Sequence, residues 1–366
     1  MPKKIFAEIC MYMLAALIMI YCCMLVEKGE VVKGGIVQAV SRCVNVIVPS
    51  LFAFMAVSSV IVNSGLYYYI SRPFYFLSKY VMGIPPQLFF VFLLGNIAGY
   101  PMGIKLLTDM VKRRQISRRT AEIMSISCCG GGPAFFSGTV GLAIFGSVRV
   151  GIIIFISSAA ANFIMAVFTG HIFKPQADRC DKKIYLTSQI FTNSIISAGK
   201  SLFTVCIMIL FFSTIMSALD IVGFFGFIQE VTGCSDNGTV LLKSALEISS
   251  ITQISGQPYG LLPFFAGVCS FGGVCVIIQI FALCGGEFRL KYFLLTRPVN
   301  VGLSVLICAV LEKFMLPNSV AAISEGVKVF VNFNNFIPSI CLILMILLLN
   351  LKKRLVFSNG MCYNEK

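Results

Sequence analysis

Few side chains in this chain could do chemistry, and they stand out because their surroundings are apolar. Lys105 closes the stretch LLGNIAGYPMGIKLL, which also holds Asn96, Tyr100, Pro101 and the glycines Gly95, Gly99 and Gly103. Glu247 sits in LLKSALEISSITQISGQ, with Ser250 and Gln253 following it, and Gln279 lies in the otherwise apolar SFGGVCVIIQI. Ser127–Pro133 reads SCCGGGP. No paired carboxylates and no Ser-His-Asp grouping occur, and the single histidine is His171 at the end of an apolar run, so an enzyme is not expected. Most of the fifteen cysteines lie within apolar runs, as Cys22, Cys206, Cys308 and Cys341 do, where a thiol behaves as a small hydrophobe. None has zinc-ligand spacing with a histidine, and neither a metal nor a cofactor is expected.

What these residues could do is bind a polar solute. The glycines around Asn96 and Tyr100 permit a turn and close backbone approach, and Pro101 removes a donor and favours the first turn of a following helix. Lys105 then falls one turn into that helix, either facing the interior or reaching outward toward Lys112. The same glycines also carry the small-residue spacing of packed helices. Gly131 and Gly132 would offer successive N–H groups to an anion or polar ligand ahead of an apolar helix; the alternative is a plain connection. A solvated loop could have the polarity found around Glu247, but Leu241, Leu242, Leu246, Ile248, Ile251 and Ile254 recur at roughly helical spacing, which predicts an amphipathic helix lining a cavity in preference to a loop. Its carboxylate could bind a proton or a sodium ion, pair with Lys105, or pair with Lys243 four residues earlier. Gln279 fits either interhelical hydrogen bonding or a ligand contact. The candidate substrate-binding residues are therefore Asn96, Gly99, Tyr100, Lys105, Gly131, Gly132, Glu247, Ser250, Gln253 and Gln279.

The elements that must position them follow from composition. The 366 residues are 58% hydrophobic and 12% charged, with mean hydropathy +0.91, whereas a soluble domain carries about 25% charged residues. Apolar runs long enough to cross a bilayer occupy Ile5–Val26, Val150–Phe173, Leu202–Leu219, Val299–Leu316 and Val329–Leu351. The net charge of +14 is carried by short basic clusters between these runs, at Lys3–Lys4, Lys112–Arg119, Lys174–Lys183, Arg289–Arg297 and Lys352–Arg354. The positive-inside rule places such loops in the cytoplasm, and no nucleic-acid motif accompanies them. The first run lacks a small-residue cleavage site and reads as a retained helix. Tyr67–Met82 mixes five tyrosines, Arg72 and Lys79 with apolar residues, as a helix at the membrane interface would.

The interrupted segments recur in order. Ser50–Leu51–Phe52 returns as Ser201–Leu202–Phe203, Leu94 before its break matches Leu246 before Glu247–Gln253, and Cys128 ahead of Gly131–Gly132 matches Cys269 ahead of Gly272–Gly273. Duplicated halves with interrupted helices in matching positions are a pattern of secondary transporters, whose solute site forms at the interruptions.

The segments LGNIAGYPMGIKLL, SCCGGGPAFFSGTVGLAIFG and SFGGVCVIIQIFAL together resemble the YlbJ-type sporulation integral membrane proteins, which belong with the nucleoside-recognition or Gate-domain membrane proteins. The resemblance covers roughly Val44 to Leu316 and is strongest at GYPMGIK. It implies a cytoplasmic-membrane protein of an endospore-forming bacterium, associated with spore cortex formation. It also implies a fold similar to concentrative nucleoside transporters, with re-entrant hairpins and a nucleoside-like compound as one class of solute. One departure is that Cys128, Cys129, Gly130 and Gly131 stand where relatives carry asparagine and serine, so that turn lacks their polar side chains.

The expected architecture is an all-α polytopic membrane protein of two related repeats with broken or re-entrant helices. Residues 1–35 hold an N-terminal helix, 36–173 and 195–316 the repeats, 174–194 a cytoplasmic linker, and 317–366 a C-terminal helix with a basic tail. Its partners are the bilayer, a small polar solute and a coupling proton or sodium ion, with a homo-oligomer left open and nucleic acid not expected. A transporter is favoured, and a non-transporting scaffold for sporulation proteins is the alternative. With both termini cytoplasmic, cysteines introduced at Arg113 and Asn359 are expected to react with an impermeant thiol reagent from the same side of the membrane; labelling from opposite sides refutes this topology.

Overall fold

The computed structural model describes residues 2–177, 187–254, 256 and 259–315. The expected C-terminal span Val329–Leu351, the basic tail and residues 178–186 of the linker lie outside these residues, and the last residues of the expected linker, from Ser188, already belong to a helix. The described residues are helical, and five stretches are long and apolar enough to cross a membrane: Gly29–Ser64, Val148–Phe173, Ser188–Ile221, Tyr259–Cys284 and Lys291–Met315. Their outward faces stay apolar, with Phe168, Phe203, Leu306 and Val310 all more than half exposed. In water such a surface would aggregate; in a bilayer it is the expected one.

The chain opens with α1 (Pro2–Glu27), α2 (Gly29–Arg42) and α3 (Val48–Ser64). A wide helical turn at Cys43–Ile47 joins α2 to α3, and because Pro49 falls in the first turn of α3 it needs no donor there. The helix therefore runs through the serines and Pro49 that mark this segment as interrupted in sequence. α4 (Tyr67–Ile70) begins the tyrosine-rich stretch, which is three short turns and not one helix, because Pro73 ends the regular backbone. Its cations lie over rings: Arg72 is 5.2 and 5.1 Å from the Tyr68 and Tyr69 centroids, and Lys79 is 5.1 Å from that of Tyr75.

Pro86 starts α5 (Pro86–Ile97), and after the break at Ala98–Pro101 comes α6 (Met102–Lys112). At 1.5 Å per residue these helices reach only about 18 Å, too short to cross a bilayer singly. α7 (Arg118–Met124) is capped by Ser117, whose hydroxyl accepts from the Thr120 N–H at 3.1 Å. The Ser127–Pro133 turn then leads through a wide helical segment, Phe135–Leu142, to α8 (Ala143–Phe145) and α9 (Val148–Phe173).

The second half contains α10 (Ser188–Ile221), α11 (Phe224–Thr232) and α12 (Asp236–Leu246). α13 (Leu262–Phe271) and α14 (Gly273–Cys284) are separated by Gly272 in the left-handed region, and α15 (Lys291–Met315) carries Pro298 inside it. α3 packs on α10, α9 on α15, α13 on α15 and α6 on α14. The core runs between them through Leu88, Ile104, Phe136, Ile153 and Phe265, all fully buried.

α5 and α6 close around one carbonyl. A Cβ on Gly95 would stand 2.2 Å from Cys128 O, and one on Gly103 only 1.7 Å from the same atom. Any side chain at Gly103 must push the Ser127–Pro133 turn away from the hairpin. Gly103→Val is expected to destabilise the protein by more than the ~1–3 kcal/mol of ordinary overpacking, seen as a lowered thermal midpoint in detergent. Gly34→Ala, inside α2 and with nothing within 4 Å, is expected not to lower the midpoint.

Candidate functional site

Three interruptions of helical backbone meet inside the bundle: Ala98–Pro101, Ser127–Pro133 and the α13–α14 break at Gly272. Asn96, in the last turn of α5, donates through Nδ2 to Phe92 O at 2.8 Å and Ser127 O at 3.2 Å. Its Oδ1 accepts from Asn162 Nδ2 of α9 at 2.6 Å. Asn162 Oδ1 in turn accepts from Asn300 Nδ2 of α15 at 2.7 Å, and Asn300 Oδ1 accepts from Ser270 Oγ of α13 at 2.7 Å. All four residues are at most 5% exposed. Four helices are thereby stitched by a single line of amides, and buried amides need such mutual satisfaction because no water is there to replace it.

Arg297 closes this hub. Its guanidinium is buried, donating from Nη1 to Cys129 O at 3.0 Å and from Nη2 to Ser270 O at 2.6 Å. It also lies 5.0 Å from the Phe293 ring centroid. Among the described residues it forms no ion pair, and its Nε has no partner. One cation thus ties the carbonyls of two interrupted segments, using dipoles in place of a counter-charge. Tyr100, just past the first break, donates its hydroxyl to Cys269 O beside the other. Gly99 abuts Gly132, and Gly131 faces Tyr100 and Phe136. A Cβ on Gly130 would stand 2.6 Å from Asn96 Oδ1 and 2.8 Å from Asn162 Nδ2. The Gly-rich turn is therefore filled by protein amides, and its neighbours supply the polar side chains that the turn itself lacks.

A second polar place lies away from the hub. A cavity of about 90 Å³ is lined by Gln38 and Arg42 of α2, Ser213, Ser217 and Asp220 of α10, Lys243 of α12, and Glu247, Ser250 and Gln253. Ser213 Oγ donates to Gly35 O at 2.8 Å, fastening α10 to α2 along one wall. Lys243 Nζ lies 2.7 Å from Asp220 Oδ1, and Arg42 Nε has no partner among the described residues. The lining carries two cations and two carboxylates within apolar helices, so it can accept and donate hydrogen bonds and counter either sign of charge.

The expected residues divide between these places. Asn96, Gly99, Tyr100, Gly131 and Gly132 belong to the hub, and Glu247, Ser250 and Gln253 to the cavity. Lys105 and Gln279 belong to neither. Lys105 does face the interior, at 3% exposure. Its partner, however, is Asp109 at 2.5 Å, with Ser197 of α10 at 3.3 Å, and not Glu247. A carboxylate one turn along the same helix is reached without crossing the bundle, and α6 packs on α14 and α3 instead of on the Glu247 segment. The alternative partner, Lys243, forms no ion pair with Glu247 either: its ammonium pairs with Asp220, and Glu247 reaches Lys243 only by its backbone N–H, which donates to Lys243 O at 3.0 Å. α12 ends at Leu246, and Glu247 has left helical geometry, with φ −138°. Its carboxylate turns back to accept from the Ser249 N–H at 3.0 Å and from the Ser249 hydroxyl. The amphipathic helix expected through this stretch therefore holds as α12 up to Leu246 and gives way beyond it to a tighter 3-10 turn over Ile248–Gln253. Gln279 Nε2 bonds Cys275 Sγ of its own helix at 3.3 Å.

Arg297, Asn162, Asn300 and Ser270 carry the hub and are absent from the expected set. Arg297 reads in sequence as the last member of a cytoplasmic basic cluster, with the span starting at Val299. The helix in fact begins at Lys291, which carries Arg297 inside. A signal was present: Asn162 is the lone amide in an apolar run, and Arg297 and Asn300 flank a proline within helix-length apolar sequence. No protein-family model matches the chain, and no match to it emerges among curated proteins or solved structures. Asn162→Ala leaves Asn96 Oδ1 and Asn300 Nδ2 unpaired, which is expected to cost about 1–3 kcal/mol, measured as a drop in thermal midpoint. Combined with Asn300→Ala the losses are expected to fall short of additive; strict additivity means the amides do not act as one chain.

Proposed function

We propose that the protein is a multi-pass protein of the bacterial cytoplasmic membrane that carries a small polar solute, in keeping with its resemblance to the sporulation and Gate-domain membrane proteins. The observation that carries this reading is the cavity holding Glu247, Ser250 and Gln253 between apolar helices. Polar groups gathered there would be costly to keep in a membrane without a polar occupant. The hub serves as the joint against which the halves shift, and the cavity as the place where the solute, nucleoside-like or otherwise, and a coupling proton or sodium ion are held.

Two related halves belong to the same reading. Ser50–Leu51–Phe52 lies on α3 and Ser201–Leu202–Phe203 on α10, and these helices pack on one another. Cys129 O and Ser270 O, the two carbonyls that Arg297 bridges, each come one residue after the matched Cys128 and Cys269. Interrupted helices in matching positions, meeting at polar groups, are the arrangement of repeat-built carriers.

The test is to load proteoliposomes with the purified chain, expose them to a metabolite mixture, and compare their contents with protein-free vesicles. At least one small polar solute is expected to accumulate only with the protein. Glu247→Gln is expected to change the pH dependence of that uptake, since it removes a titratable group from the cavity. A folded protein that accumulates no solute overturns the carrier reading in favour of a non-transporting scaffold.

A further inference from the structure

We propose that the cavity at the C-terminal end of α6 binds a phosphate-bearing anion. It is an open cleft of about 420 Å³ lined by Val111, Lys112, Arg114, Ile116, Arg118 and Glu287. Three cations and a single carboxylate thus line one space, and all three cations are exposed. Among the described residues none of the three forms an ion pair. Their mutual repulsion is relieved by an anion, and two guanidinium forks suit the oxygens of a phosphate better than a halide or a lone carboxylate. Val111 and Ile116 add an apolar floor for the organic part of such a ligand.

Loop charges that serve only to orient a membrane protein would have no reason to converge. Here the neighbours are sorted: Arg113 Nη1 donates to Asn63 O at 3.1 Å, and Arg119 does not line the cavity. The backbone holds the arrangement in place. Arg114 N–H donates to Val111 O and Gln115 N–H to Met110 O, both at 2.9 Å, closing the end of α6. Ile116 pairs with Ala177, and Thr120 Oγ1 donates to Gln176 O at 2.9 Å. Arg114 itself sits at φ 55°, a left-handed conformation in which glycine would be unstrained. This site is separate from the cavity around Glu247, and the proposal does not depend on the carrier reading.

Two sources could supply the ligand, an anionic phospholipid headgroup or a soluble phosphate compound. The purified full chain in detergent is titrated with inorganic phosphate and with adenosine monophosphate, following the thermal midpoint. In parallel, native mass spectrometry compares retention of phosphatidylglycerol with that of phosphatidylcholine. Saturable binding of a soluble probe, or selective retention of phosphatidylglycerol, supports the site and identifies the source. Arg118→Ala is expected to weaken that binding about tenfold, the scale of one lost charge-assisted hydrogen bond. Glu287→Gln is expected to strengthen it. Arg114→Gly is expected to raise the ligand-free midpoint by relieving strain while weakening binding, which separates the site from the fold. Absence of saturable or selective binding to any probe overturns the proposal, and so does an Arg119→Ala variant that weakens binding as much as Arg118→Ala.

Discussion

An interrupted helix inside an apolar bundle frees backbone carbonyls and N–H groups that no solvent can satisfy, and this structure is organised around meeting that demand. Arg297 is the central answer. Its two amino groups take the carbonyls of Cys129 and Ser270, which belong to two separate breaks. A carboxylate in place of those carbonyls would have been a stronger partner singly, but it would have required burial of a second charge. Carbonyl dipoles accept the cation while being satisfied by it. The Asn96–Asn162–Asn300–Ser270 line extends the same economy, since every amide in it both donates and accepts.

The packing around the hub depends on that solution. Gly95 and Gly103 let α5 and α6 close on Cys128 O so nearly that no side chain fits, and this is what seats the Ser127–Pro133 turn where Arg297 and Asn96 can reach it. Pro298, two turns into α15, lies between Arg297 and Asn300, the two residues this helix contributes to the hub. The charged pair Lys105–Asp109 stands apart, settled within one helix and hydrogen-bonded to α10 through Ser197. The polar cavity is different in kind. Its charges are also partly paired, as Lys243 with Asp220, but they line a cavity as well.

Much of this was legible in the chain. Long apolar runs with charges confined between them determined by themselves that the protein is helical and suited to a membrane, because a backbone in lipid has few other ways to satisfy itself. The break at Gly99–Pro101 was legible because glycine and proline act on the backbone locally. So was the place of Lys105 one turn into the helix that follows, although the chain left open whether it faces inward or outward, and the structure decided that. Only the tertiary structure decided the partners. Lys105 and Glu247 look complementary in sequence, yet each found a nearer partner, Asp109 and Ser249, since local contacts lose less chain entropy than contacts across the bundle. Arg297 looked like a loop cation because hydropathy reports the neighbours along the chain and not the face of the helix. Its burial rests on carbonyls far away in sequence, at Cys129 and Ser270. No one-dimensional pattern records those, because they come into reach only when separate helices, each unremarkable alone, pack together.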